Sequence, residues 1–359
     1  GYEYKETIET GSEAALAGGF TSIACMPNTD PVNDNRSVTE FIIRQAAKCG
    51  LVNVYPVAAV SRCSAGKGLT EFGDLVEAGA VAFSDDGRPV MTAGLMRRAL
   101  EYADSFGVPI ISHCEDPTLS ADGLMNEGLT STELGLPGIP SISEEVMVAR
   151  DVLIAAYTGA AVHIAHVSTA GSVELIREAK NRGVRVTAET APHYFCLSEE
   201  ALSEFDTRLK MNPPLRSVAD VAAIKEGLRD GTLDAIATDH APHSSIEKEV
   251  EFEYAANGII GLETSLALSL RLVAEGVLTL SQLVEKMSVN PAKILRIGKG
   301  TLLPGVDADI TLVDPEKTWT VDVKQFRSKS RNSPFGGWQL KGKVIRTIVG
   351  GVVKFSHGE

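Results

Sequence analysis

Short apolar runs rich in β-branched residues recur along the chain, each followed by an amphipathic stretch. The runs Phe20–Met26, Val52–Val60, Ala80–Ser84, Val108–Ser112, Ala161–Val167, Val184–Ala188 and Leu233–Thr238 read as strands. Between them, Val38–Cys49, Ala93–Ser105, Glu144–Tyr157, Ser172–Arg182 and Val218–Arg229 repeat their apolar residues at helical spacing. In Ala93–Ser105, for example, Met96, Leu100 and Ala103 share one face, while Arg97, Arg98 and Glu101 can face water. Gly107 and Gly183 close two of these helices just before the next strand. Near-continuous apolar strands alternating with helices predict a parallel sheet covered on both faces.

An open doubly wound sheet can stop at seven strands, whereas a closed barrel needs eight. The polar residues at the strand ends decide between them. Asn28, Asp85 and Asp86, His113, His166, Glu189 with His193, and Asp239 with His240 and His243 all follow apolar runs. A barrel gathers such ends on one face, where barrel enzymes place their chemistry, while an open sheet spreads them along an edge. The pattern therefore predicts an α/β fold, a (β/α)8 TIM-type barrel whose first strand lies upstream of Gly1.

Beyond helices around Leu262–Glu275 and Ser281–Leu295, the pattern changes. The pieces Ile310–Val313, Thr318–Val321, Val344–Ile348 and Val352–Phe355 read as strands joined by turns, a small C-terminal β portion. The expected division is a barrel over 1–300 and a β-sandwich portion over 301–359.

Of the 359 residues, 44% are hydrophobic and 23% charged, enough for a large core and unlike a disordered chain. With 34 basic and 47 acidic residues the net charge is −13, which lacks the basic footprint of a nucleic-acid binder. No apolar run approaches the ~20 residues of a membrane helix, and Gly1-Tyr2-Glu3-Tyr4-Lys5-Glu6 has neither the basic nor the apolar region of a signal peptide. The absent initiator Met suggests an upstream segment. Five scattered cysteines, with no Cys-x-x-Cys pair, fit reduced thiols in a cytoplasm.

A lone histidine at a strand end is usually a hydrogen-bonded structural residue. Here His113 and His166 end adjacent strands, with Asp86 and Asp239 at neighbouring ends, and imidazole with carboxylate is the ligand set of Zn²⁺ or a similar divalent metal. His163, three residues before His166, should face away from it and serve a structural role. Asp239 is placed to act as general base and then general acid on a metal-bound water. No P-loop, Gly-x-Ser-x-Gly elbow, His-Glu-x-x-His or dinucleotide fingerprint is present.

Together these motifs resemble the amidohydrolase superfamily and, within it, class I dihydroorotase. The resemblance is carried by Cys25-Met26-Pro27-Asn28-Thr29-Asp30-Pro31, Phe83-Ser84-Asp85-Asp86-Gly87, Ser112-His113-Cys114-Glu115, Ala165-His166-Val167-Ser168, Lys210-Met211-Asn212-Pro213-Pro214-Leu215-Arg216 and Thr238-Asp239-His240-Ala241-Pro242-His243. It continues through Asn290-Pro291-Ala292-Lys293 and Leu303-Pro304-Gly305-Val306-Asp307-Ala308-Asp309. The resemblance implies that Asp86 bridges two zinc ions, that His113 and His166 bind one, and that Asp239 contacts the other and is the catalytic acid/base. It implies that Asn28, Asn212, His243, Asn257 and Gly258 bind substrate; Asn257 stands where related enzymes usually carry Phe.

The implied reaction is reversible hydrolysis of L-dihydroorotate to N-carbamoyl-L-aspartate in pyrimidine biosynthesis. Hydantoinases, allantoinases and class II dihydroorotases bridge their metals with a carbamylated lysine, and Ser84-Asp85-Asp86 offers none. Other expectations are a scaffold for aspartate transcarbamoylase without catalysis, or a cyclic-amide hydrolase with another ring. The retained Asp86, His113, His166 and Asp239 weigh against the first. As partners, the resemblance implies the small-molecule substrate, aspartate transcarbamoylase and a homo-oligomer, with no nucleic acid and no membrane. It also places the family's His-x-His-x-Arg-Glu-Pro motif just before Gly1. On that expectation the full-length parent binds two zinc ions and this chain nearer one.

Overall fold

The computed structural model describes residues 1–358. Its main sheet has seven parallel strands: β1 (Ser22–Cys25), β2 (Asn53–Ala58), β3 (Ala82–Phe83), β4 (Ile110–Ser112), β7 (Val162–Ile164), β8 (Val186–Thr190) and β9 (Ala235–Ile236). A two-stranded insertion, β5 (Met125–Asn126) with β6 (Gly138–Ile139), interrupts the count after β4. The seven wall strands lie in chain order, each parallel to the next, as successive βα units place them. β1 pairs with β2 and β9 with β8, so among the described residues the wall has two edges. The barrel expectation holds as a curled seven-strand wall, with the eighth strand of the closed form not among these residues.

Six of the seven apolar runs settle as strands shorter than their sequence signal, while Val184–Ala188 shifts to Val186–Thr190 at the same length. Leu233–Thr238 retains only Ala235–Ile236, because the chain turns off the sheet on the way to Asp239, whose φ is +46°. The covering helices fall where the periodicity places them. Arg36–Cys49 starts at an Asn35 side chain that accepts from the Val38 N–H, and it stops at left-handed Gly50. Ala93–Phe106 buries Leu95, Met96, Ala99, Leu100 and Ala103 against the wall. Ile110, Ile164 and Ile176 are fully buried in the main core between wall and helices.

The helix expected over Ser281–Leu295 is one continuous rod in three pieces, Leu280–Val284, a π turn at Glu285–Val289, and Asn290–Ile294. Pro291 brings no N–H to the carbonyl four residues back, and the widened turn sits at that point. The π turn directs Lys286 Nζ to the Leu233 carbonyl at 2.6 Å, and Asn290 Nδ2 reaches the Asp234 carbonyl at 2.9 Å. Both satisfy carbonyls at the start of the edge strand β9.

The C-terminal portion is one antiparallel layer of three strands, β10 (Ile310–Thr320), β11 (Gln339–Val349) and β12 (Val352–Ser356). The expected pieces Ile310–Val313 and Thr318–Val321 belong to a single strand, whose register shifts between Asp314 and Thr318 around Pro315. The segment between β10 and β11 leaves this sheet and packs on the barrel rim. There Phe326 and Phe335 join Leu209, Met211, Ile259 and Leu268 in a second core.

Candidate metal centre and substrate cavity

His113 follows β4 and His166 follows β7, adjacent strands of the wall, and both imidazoles are buried. His113 Nδ1 lies 2.8 Å from His166 Nε2. Asp86 Oδ1 lies 3.9 Å from the first and 3.8 Å from the second. One donor atom from each of the three residues lies within 4.8 Å of the others. Tetrahedral zinc with bonds near 2.0–2.1 Å spaces its donors about 3.3 Å apart, so this triangle needs only small adjustments to accept such an ion.

Strand-end alternation separates Asp86 from its neighbour. Asp85 turns inward and accepts the Ser61 N–H at 3.0 Å, a structural contact in which burial raises its pKa. Asp86 turns to the cavity.

Charge also favours a cation here. Burial opposes a charge on His166, but Asp86 and Asp239 outweigh it and hold the imidazole up to about 9. Burial likewise penalises the Asp86 carboxylate, yet His166 and His113 pull it below its ordinary value. A proton on His166 thus stands where a divalent ion would neutralise the same carboxylates. The residues present fit a metal.

Glu115 orients the first imidazole. His113 Nε2 donates to Glu115 Oε2 at 3.0 Å, which leaves Nδ1 as the lone-pair nitrogen facing Asp86 and His166. Burial opposes the Glu115 charge, but donors from His113, Ser120 and Asn212 lower its pKa to about 2. The His166 Nδ1 has no hydrogen-bond partner. The loop behind it is fixed by buried Glu144, whose Oε1 accepts the Ser168 N–H at 3.1 Å.

Asp239 stands apart from the triangle in the same cavity. Burial raises its carboxyl to about 6, with Asp86 and Glu189 adding to the rise and His166 opposing it. Its Oδ2 lies 3.6 Å from Nε2 of the buried His193, which has no hydrogen-bond partner. Burial and the nearby His166 charge push His193 down to about 3. His166 and Asp239 both adopt positive φ, +36° and +46°, a strained backbone for residues with side chains. Beside Asp239, His240 Nδ1 accepts the Gly261 N–H at 3.2 Å, and its Nε2 faces Glu6 Oε2 at 3.4 Å.

The expected substrate residues divide. Asn28 Nδ2 donates to Asp86 Oδ2 at 2.9 Å, so it holds the carboxylate oxygen that does not face the imidazoles. Asn212 Nδ2 donates to Glu115 Oε2 at 2.8 Å, one residue removed from the metal group. His243 lines the cavity but spends both ring nitrogens, Nε2 on the Asn257 carbonyl at 2.7 Å and Nδ1 on Lys5 Nζ at 3.4 Å. Gly258, at φ +129°, gives its N–H to the Lys210 carbonyl and its carbonyl to Asn332, and a Cβ there would meet Ala241 at 2.5 Å. His163 sits outside the metal group, with Nδ1 on Thr187 Oγ1 at 2.8 Å and Nε2 3.2 Å from Glu189.

Glu115, Lys5 and Glu6 join the site without being singled out by the sequence pattern, and that pattern assigns His193 no role. Only Glu115 carries a local signal, its two-residue spacing from His113. The cavity itself measures about 1550 Å³ and runs from Asp86, His166 and Asp239 down between β1 and β9.

A profile described as dihydro-orotase-like matches residues 1–172, and one described as the amidohydrolase family matches 138–355. A dihydroorotase of Syntrophus aciditrophicus is 70% identical over 99% of this chain and 84% of its own length. One from Geobacter metallireducens is 61% identical with the same coverage. The chain belongs to the dihydroorotase family of amidohydrolases. Among solved structures of this fold, the L-hydantoinase (dihydropyrimidinase) of Arthrobacter aurescens superposes with a TM-score of 0.86 at 29% identity, covering 99% of this chain and 81% of that one. Within the described residues of this family member, no helix is long and apolar enough to cross a membrane.

Proposed function

We infer that this chain hydrolyses the cyclic amide of L-dihydroorotate, reversibly, to N-carbamoyl-L-aspartate, a step of pyrimidine biosynthesis. The observation that carries this is the metal-ready triangle of Asp86, His113 and His166 with Asp239 beside it, in a chain 57–70% identical to curated dihydroorotases. Asp86, rather than a lysine, at the end of β3 supports the dihydroorotase reading over a hydantoinase-like one.

Asp86, His113 and His166 would hold a zinc ion, which when bound lowers the pKa of water toward ~7 and polarises the attacked carbonyl. We propose one such ion on these three residues. On the family resemblance, Asp86 and Asp239 would also help to hold a second ion. Asp239 takes a proton from the attacking water as the C–O bond forms. It returns that proton to the ring nitrogen as the C–N bond breaks and its electron pair stays on nitrogen. Asn28, Asn212, His243 and the Asn257–Gly258 backbone would orient the ring and its carboxylate. His243 must first exchange its Asn257 contact for substrate.

We also propose self-association, a cytoplasmic location, which five free thiols support, and aspartate transcarbamoylase as a partner. Size-exclusion chromatography with and without the transcarbamoylase tests the associations. A panel of dihydroorotate, hydantoin and allantoin tests the function: turnover of dihydroorotate alone is expected, and preference for another ring would overturn it.

A further inference from the structure

Glu115 is bound at both ends of the site at once. Its Oε2 accepts from His113 Nε2 at 3.0 Å and from Asn212 Nδ2 at 2.8 Å, while Oε1 accepts from Ser120 Oγ at 2.6 Å. The side chain is 17% exposed, so water replaces none of these donors easily. Three donors on two oxygens fix the carboxylate in place, and His113 and Asn212 share a single oxygen atom.

A carboxylate only accepts hydrogen bonds, and this settles two assignments. The nitrogen of His113 facing Glu115 must carry the proton, so Nδ1 offers its lone pair to the Asp86–His166 side. The atom of Asn212 facing Glu115 must be the amide nitrogen. The Asn212 carbonyl oxygen is then its free acceptor, suited to a ring N–H and not to a carboxylate.

We propose that Glu115 is a positioning residue that ties metal binding to substrate recognition: it sets the His113 tautomer for the metal and turns the Asn212 carbonyl to accept an N–H of a cyclic ureide. The second half rests on the hydrolase reading above; the first half does not. Loss of Glu115 therefore damages two properties that a purely structural carboxylate would leave apart. Asn212 should discriminate by ring N–H, so a substrate N-methylated at that nitrogen loses binding in the wild type and loses little more when Asn212 is removed.

The test uses Glu115→Leu, which keeps the approximate size and removes both acceptor oxygens, alongside Asn212→Ala and the double variant. Zinc affinity, measured by chelator competition on each chain, is expected to fall roughly 10- to 100-fold in Glu115→Leu and to change little in Asn212→Ala. KM for dihydroorotate is expected to rise in both single variants, and the double variant should be no worse than Glu115→Leu. Near-UV circular dichroism checks that each variant is folded, and Glu115→Ala serves as a second variant if Leu is not. Zinc affinity within twofold of wild type in a folded variant overturns the tautomer role. Independent, multiplying KM effects overturn the coupling to Asn212. A wild type inactive on every ring tested would sink the hydrolase reading and the Asn212 half with it, while the zinc measurement still decides the His113 half.

Discussion

His113 Nδ1 and His166 Nε2 face one another across 2.8 Å from the ends of adjacent strands. Because His113 Nε2–H is committed to Glu115, this close pair has one lone pair and one proton between the rings when no metal is bound. The proton resides on His166, which its neighbouring carboxylates favour. A divalent ion entering the triangle displaces that proton and presents both lone pairs with a common target.

Metal binding should therefore release a proton and should need both rings. About one equivalent of zinc is expected on the purified chain, and the His113→Ala/His166→Ala chain should retain almost none after dialysis. Elemental analysis of both, at matched protein concentration, decides it. Equal zinc in the two chains would remove the triangle as the binding site.

Asp239 is expected to carry proton transfer. In a catalytically competent form, Asp239→Asn keeps the side-chain shape but removes the basic oxygen, so turnover should fall by ~10²-fold or more. Burial holds the Asp239 carboxyl up to about 6 without metal, and a bound cation would lower that value. Hydrolysis needs the ionised form and should rise with pH through this group. Ring closure needs the protonated form and should fall over the same range. Profiles in both directions check the sign, and near wild-type turnover of Asp239→Asn at every pH would leave the residue without the role.

The architecture was largely legible in the chain because seven β-branched apolar runs alternate with helical periodicity, and each became a wall strand or its covering helix. The β5–β6 insertion was not, since two-residue strands have no period to detect. At the site, Asp86, His113 and His166 stood out as polar residues ending apolar runs, and the structure brings them together. Glu6 was hidden for a physical reason. Its partners His240 and Ser328 lie 234 and 322 residues away, and only the fold shows that the segment after β10 returns to the barrel rim. The positive φ of His166 and Asp239 is likewise a tertiary outcome that no propensity at those positions announces.

Glu263 offers a pH test outside the metal group. Its Oε1 accepts the Arg327 and Ser328 N–H groups at 2.8 and 3.0 Å, anchoring the returning segment, and burial pushes its pKa up from 4.5 to about 7. Between those values the folded chain holds a proton that the unfolded chain has released. Its contribution to stability is therefore fully present below 4.5 and lost as pH rises through about 7. Glu263→Gln keeps an acceptor oxygen without the charge, so its melting temperature should exceed the wild type's at pH 8 and converge with it near pH 5. Parallel melting curves for the two chains across that range would show that Glu263 does not titrate with folding.

Two strand edges flank the cavity. β1 and β9 each leave one side unpaired among the described residues, and both border the same space of about 1550 Å³. The apolar lining between them, including Ile23, Ala24, Ile236 and Leu266, rewards any strand that enters. An N-terminal extension of the chain ending in His-x-His-x-Arg-Glu-Pro should supply that strand in cis and add two imidazoles near Asp86 and Asp239. The extended chain is expected to melt higher and to bind a second zinc. Dihydroorotate hydrolysis should rise with the second zinc, read as carbamoyl-aspartate formed by the two chains at equal concentration. A chain of 359 residues that already matches the extended one in activity and zinc content would mean that Asp86, His113 and His166 carry the chemistry on one ion. The space between β1 and β9 would then have no part in it.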